Sequence, residues 1–94
     1  MEIIRKDNGN EGVFKTIKNG EEIGEMTYIW RSGNKILINH TEVDPEYEGQ
    51  GIGKKMVMQA VDFARKNDVK IIPVCPFVVA LFERIPEIGD VLAD

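Results

Sequence analysis

A change of hydrophobic period, hinged on a short glycine-rich segment, constrains this chain more than any other feature. Up to residue 43 the apolar residues tend to alternate, as strands with one buried face require. From Ile52 onward, Met56, Val57, Ala60, Val61 and Ala64 form a stripe at helical spacing. Between the two lies Asp44-Pro45-Glu46-Tyr47-Glu48-Gly49-Gln50-Gly51-Ile52-Gly53-Lys54-Lys55. The chain must therefore leave a sheet and enter a helix through alternating glycines. That is the point at which a helix exposes unpaired N–H groups.

The first half reads as an antiparallel meander. Ile3-Ile4 sits in a short strand closed by the Asp7-Asn8-Gly9-Asn10 turn cluster. Val13 to Lys18 forms a second strand, and Asn19-Gly20 supplies the positive-φ pair of a type I′ hairpin. Ile23 follows. Gly24 interrupts the alternation and predicts a bulge, while Met26, Tyr28 and Trp30 share a face. A second turn through Arg31-Ser32-Gly33-Asn34 leads into a strand from Lys35 to Val43. Asn67-Asp68 ends the first helix, Val69 to Val74 is a short strand, and Pro76 opens a second helix through Arg84. The apolar run Phe77 to Phe82 reads as a buried helix or an interface, and Pro86 and Gly89 punctuate the tail.

Strands, helix, strand, helix: that order predicts an α+β fold, a mixed, mainly antiparallel twisted sheet of about five strands with two helices. A right-handed crossover makes the last two strands parallel. At 94 residues the expectation is a single domain, 1–94, with one core.

The net charge is −4, so the chain's field opposes a polyanion, and nucleic acid is not expected as a partner. One cysteine excludes an internal disulfide. No apolar run approaches the ~20 residues of a membrane helix, and the N-terminal residues lack the apolar stretch of a secretion signal. The expectation is a cytoplasmic protein without a membrane partner, monomeric by default.

Two roles fit the glycine segment. It can be a tight strand-to-helix turn and nothing more. It can also be an anion site, where glycines let the backbone approach a ligand and the N–H groups and dipole of the helix favour negative charge. Lys54 and Lys55 stand where the dipole disfavours cations, which is easier to understand if a polyanion binds. An NTPase phosphate loop is excluded, because Gly53-Lys54 is followed by Lys55 rather than Ser or Thr. A dinucleotide fingerprint fails as well, its third glycine falling on Lys54 or Met56.

Val43-x-Pro45 followed by Gly49-Gln50-Gly51-Ile52-Gly53-Lys54 resembles the cofactor signature of GNAT-type N-acetyltransferases, Gln/Arg-x-x-Gly-x-Gly/Ala at the start of a helix. His40-Thr41-Glu42-Val43 before the loop and Pro73-Val74-Cys75-Pro76-Phe77 after it resemble the minimal, single-domain branch of that superfamily. The resemblance covers roughly residues 36–91. It implies the minimal acyl-CoA N-acyltransferase fold, with acetyl-CoA as cosubstrate and an amine of unspecified identity as acceptor. It further implies that the pyrophosphate lies on Gly49, Gln50, Gly51, Ile52, Gly53 and Lys54. The pantetheine arm would lie alongside Thr41, Glu42 and Val43, in a gap between the fourth and fifth strands. Pro73 suits such a gap, since it cannot donate to a ladder. Glu48 departs from the signature's Gln or Arg, and its carboxylate is expected to point to solvent. The chain is also shorter than larger relatives, so the acceptor site should be open or incomplete.

Acetyl transfer needs a deprotonated nucleophile and a stabilised oxyanion. A backbone N–H near Val43 is the implied oxyanion donor. Cys75 precedes the second helix, where a helix N-terminus lowers a thiol's pKa; it either takes the acetyl group, lines the thioester pocket, or is a buried small hydrophobe. His40, the only histidine, is a candidate base or a structural group. Strict alternation places Ile36, Ile38, His40 and Glu42 on one face and Leu37, Asn39, Thr41 and Val43 on the other. Glu42 and Glu46 are weaker candidates acting through water. No metal site is legible. The expected function is acetyl transfer to an amine; the alternatives are a non-catalytic CoA-binding module and a small interaction domain.

Overall fold

The computed structural model describes residues 1–94. Five strands run in spatial order β1 (Glu2–Asp7), β2 (Glu11–Lys18), β3 (Glu21–Arg31), β4 (Lys35–Val43) and β5 (Lys70–Pro73). The first four pair antiparallel in sequence order, and β5 joins β4 in parallel. Helix α1 (Ile52–Asn67) makes the crossover and α2 (Pro76–Arg84) follows β5. Short 3-10 segments occupy Pro45–Tyr47 and Pro86–Val91. The α+β fold expected from the order of periods is the one found.

Local chemistry accounts for the junctions. Asn19 and Gly20 take φ of 52° and 79°, as a type I′ turn demands. The bulge at Gly24 is present: Thr16 faces Gly24 and Ile17 faces Glu22, leaving Ile23 as the extra residue. Asp68 ends α1 in the left-handed conformation, and Val69 N–H then returns to Ala64 O. That bond commits Val69 to the helix end, so β5 is shorter than the 69–74 span expected.

One hydrophobic core fills the space between the sheet and the helices. Phe14, Met26, Tyr28, Ile36, Ile38 and Ile71 come from the strands, and the α1 stripe Met56, Val57, Ala60, Val61 and Ala64 packs on them. Val78, Leu81 and Phe82 of α2 join this core, as do Ile88 and Val91. The run from Phe77 is not uniformly buried as expected, because an amphipathic helix turns part of it outward; Phe77 is 40% exposed. Arg65 holds the tail through Asp90 at 2.8 Å and the Glu87 carbonyl at 3.0 Å.

At the far edge of the core, Asp7 accepts hydrogen bonds from the Tyr28 hydroxyl, from Trp30 Nε1 at 2.8 Å and from Gly9 N–H at 2.6 Å. Burial raises the Asp7 pKa, but the bonds from Tyr28, Gly9 and Trp30, with the Arg5 charge, outweigh it and hold the carboxyl below its usual range. A carboxylate with a depressed native pKa adds stability that is complete above its unfolded pKa and is lost as pH falls through the native one. Thermal melts of the protein should therefore weaken below about pH 4, and Asp7→Asn should flatten that acid limb while lowering neutral-pH stability. An acid limb identical in the variant would assign the effect elsewhere.

Candidate functional site

Beyond Ile38 the sheet opens. The β4–β5 ladder ends at Ile38 opposite Pro73, and the next two N–H groups, Val74 and Cys75, both go to Ile38 O at 3.0 and 3.1 Å. After that the two strands part, which leaves one side of residues 39–43 without a strand partner.

A second bulge decides what faces this gap. Tyr28 pairs with Ile38 and Thr27 with His40, so Asn39 is an extra residue in β4. Strict alternation is thereby overturned. Thr41 and Val43 pair with Met26 and Gly24, on the face that carries Ile36 and Ile38, and His40 and Glu42 turn to the reverse face. The backbone follows the same logic. Ile38 O points toward β5 and Asp44 N–H points away, to Ile23 O at 2.8 Å. Alternation from Asp44 directs the N–H and C=O groups of Thr41 and Val43 into the gap.

The gap continues into a cleft of about 480 Å³. Its walls are Thr41 and Val43, then Tyr47, Glu48 and Gly49, then Gly51 to Lys54, and finally Phe77, Leu81 and Arg84 from α2. Of the residues singled out in the sequence, Thr41, Val43, Gly49, Gly51, Ile52, Gly53 and Lys54 are brought together here. Gln50 and Glu42 are not among the lining. Glu42 lies instead in a depression with Glu22, Glu25 and Asp44. Glu48 is exposed but does form part of the cleft wall.

The glycines of the loop have separate tasks. Gly51 caps α1 at φ 76°, a conformation that side chains resist. Gly53 is buried, and a Cβ there would come within 2.8 Å of the Phe77 ring. The Phe77 ring thus lies over the start of α1 in space that the missing side chain leaves. None of the backbone N–H groups of Gly49, Gln50, Gly51, Ile52, Gly53 and Lys54 finds an acceptor within the protein; the first helical bond beyond them is Lys55 N–H to Gly51 O. Such a run of free donors at a helix N-terminus suits a phosphate group.

Cys75 caps α2 and is 7% exposed, with Sγ 3.5 Å from Thr41 Oγ1. Burial raises its pKa, but the Thr41 hydroxyl and the N–H groups of Val78, Phe77 and Thr41 outweigh burial and hold the thiol below its ordinary value. His40 is half exposed on the reverse face, with Nε2 3.3 Å from Glu42 Oε1. The structure therefore separates the two: Cys75 meets Thr41 at the inner end of the gap, and His40 faces solvent. No group of His, Cys, Asp and Glu side chains assembles a metal site, and no helix is long and apolar enough to cross a membrane.

A comparison with curated proteins found no match. Among solved structures, the chain is similar to a GCN5-like protein from Staphylococcus aureus, at 36% identity over 98% of this chain and 87% of that one, with a TM-score of 0.71. It is also similar to ribosomal-protein-alanine N-acetyltransferase from Brucella melitensis biovar Abortus (18% identity, TM-score 0.72) and covers 83% of itself and 62% of that enzyme. For ribosomal-protein-S18-alanine N-acetyltransferase from Escherichia coli the values are 19% identity, TM-score 0.70, 83% of this chain and 53% of that one. This chain thus spans 62% and 53% of the length of those two enzymes, and at such identities the likeness is one of fold. A family model described as GCN5-related N-acetyltransferase matches residues 13–91, and the chain belongs to that family.

Proposed function

We propose that this protein binds acetyl-CoA in the cleft and transfers the acetyl group to an amine. The family uses acetyl-CoA. The observation that carries the assignment to this chain is the unbroken run of free N–H groups from Gly49 to Lys54 along a cleft that leads to an unpaired strand edge. Donors at a helix N-terminus fit a pyrophosphate. The β4 edge at Thr41 and Val43, which has no strand partner, fits an amide-bearing pantetheine arm, which can pair there as a strand would. Tyr47, Phe77 and Leu81 add apolar surface.

On this reading the reacting end has the following roles. The thioester lies near Thr41 and Cys75, and an N–H on the β4 edge, at Val43, stabilises the developing oxyanion. The amine attacks the thioester carbonyl, the C–S bond breaks and the thiol of CoA leaves. His40, paired with Glu42 on the reverse face, is the candidate base for an amine arriving from that side. Cys75 either lines the thioester pocket or takes the acetyl group first.

The test is calorimetric titration with acetyl-CoA, followed by turnover with a panel of amines. Cys75→Ala should retain binding within about threefold if the thiol only lines the pocket, and lose turnover by about a hundredfold or more if it is acylated. Alkylation of Cys75 should show a midpoint below that of an ordinary thiol and be slowed by acetyl-CoA. Loss of turnover in His40→Ala, with its pH inflection removed, would support the base. Binding without turnover in any amine would favour a CoA-binding module, and absence of binding would refute the proposal.

A further inference from the structure

The roles above leave two lining residues unused, Glu48 and Arg84, and of these only Arg84 carries a positive charge. Phe77, Leu81 and Arg84 are four and three residues apart, so they share a face of α2. That face runs along the cleft for about 10 Å, from beside Gly53 to Arg84. Cys75 and Thr41 mark its inner end, and Arg84 therefore stands at the outer end. The ion pairs of the chain involve Arg5, Lys15, His40 and Arg65; Arg84 and Lys54 take part in none, although Glu83 and Glu87 flank Arg84 in sequence. An uncommitted guanidinium thus lines a cleft in a chain whose net charge is −4.

The pyrophosphate already has the free N–H run and Lys54. What remains on the outer part of such a ligand is a phosphomonoester, which carries about −1.5 to −2 charge at neutral pH and three acceptor oxygens. A guanidinium matches that geometry in a way an ammonium does not. We infer that Arg84 is a specificity residue that recognises the 3′-phosphate of coenzyme A, so that the cleft distinguishes CoA from 3′-dephospho-CoA. This inference rests on the proposal that the cleft binds acetyl-CoA. A purely structural Arg84, serving the negative end of the α2 dipole, would affect helix stability and leave ligand choice unchanged.

The experiment is calorimetry of the full chain with CoA and with 3′-dephospho-CoA, for the parent protein, Arg84→Gln and Arg84→Lys. The parent should bind CoA about tenfold more tightly, the scale of one charge-assisted contact. Arg84→Gln should bring the ratio close to one by weakening CoA alone, Arg84→Lys should keep part of it, and added salt should compress it in the parent. Equal weakening of both ligands in Arg84→Gln would assign the side chain to the pyrophosphate and overturn the inference. An unchanged ratio in Arg84→Gln would overturn it as well, and so would a ratio of one in the parent, with the acetyl-CoA proposal left standing. Failure of the parent to bind either ligand would overturn both.

Discussion

Replacing Gly51 with valine is expected to weaken acetyl-CoA binding by roughly a hundredfold or more, with the fold retained. Gly51 sits at φ 76° as the cap of α1, and no heavy atom lies within 4 Å of where its Cβ would be. The effect is therefore one of backbone conformation and not of collision inside the protein. A left-handed backbone costs an ordinary residue about 1–2 kcal/mol, and a β-branched one more. Relief of that strain swings the peptide groups on either side, and the N–H run from Gly49 to Lys54 loses its common direction. Each 1.4 kcal/mol lost is a further tenfold in Kd. Gly51→Asn should do markedly less harm, because asparagine tolerates this region. Calorimetry on the two variants, with thermal melts to confirm folding, measures the contrast. A valine variant that binds as tightly as the parent would mean that the loop does not hold the ligand.

The largest expected loss of stability comes from the other end of the sheet. Gly12 lies opposite Tyr28 in the β2–β3 ladder, and the Tyr28 ring covers it so closely that an added Cβ would overlap the ring and its hydroxyl. The ring has little freedom to retreat. It is 1% exposed, touches Phe14 and Trp30, and its hydroxyl donates to Asp7 and accepts from Arg5 at 3.0 Å. Burial, helped by Asp7, pushes the phenol pKa up to about 12, so it stays a donor across the working pH range. Gly12→Ala should cost about 3 kcal/mol, combining overpacking with a disrupted buried hydrogen bond. For a chain of this size that lowers Tm by on the order of 15 °C. In a Tyr28→Leu background the same substitution should cost far less, because the two residues are in direct contact. Equal losses in both backgrounds would show that Gly12 matters for another reason.

Most of the architecture is legible in the sequence, because it depends on residues close in the chain. Asn19-Gly20 commits to positive φ at both positions and so to a hairpin. The stripe from Ile52 to Ala64 can bury itself only as a helix, and Gly24 marks its bulge by breaking an alternation. The spacing of Gly49, Gly51 and Gly53 pointed to a loop whose N–H groups stay free, since strand and helix ladders both end there. The start of α2 followed from Pro76 at the first turn.

Tertiary structure decided which side chains share the site. The bulge at Asn39 has no clear local mark: Asn39, His40, Thr41 and Glu42 are all polar, so no apolar alternation fixes their faces, and the pairing with Thr27 and Tyr28 inserts the extra residue. That insertion sends Thr41 and Val43 toward the cleft and His40 to the reverse face, contrary to strict alternation. The Phe77–Leu81–Arg84 wall was equally hidden, because an apolar run shows that a helix buries something but not which neighbour it leaves uncovered. Local sequence determines elements through backbone preferences a few residues long. Register and the separation of packed elements are set by contacts between residues 20 to 40 positions apart, such as Gly53 against Phe77 and Thr41 against Cys75, and those exist only once the chain has closed on itself.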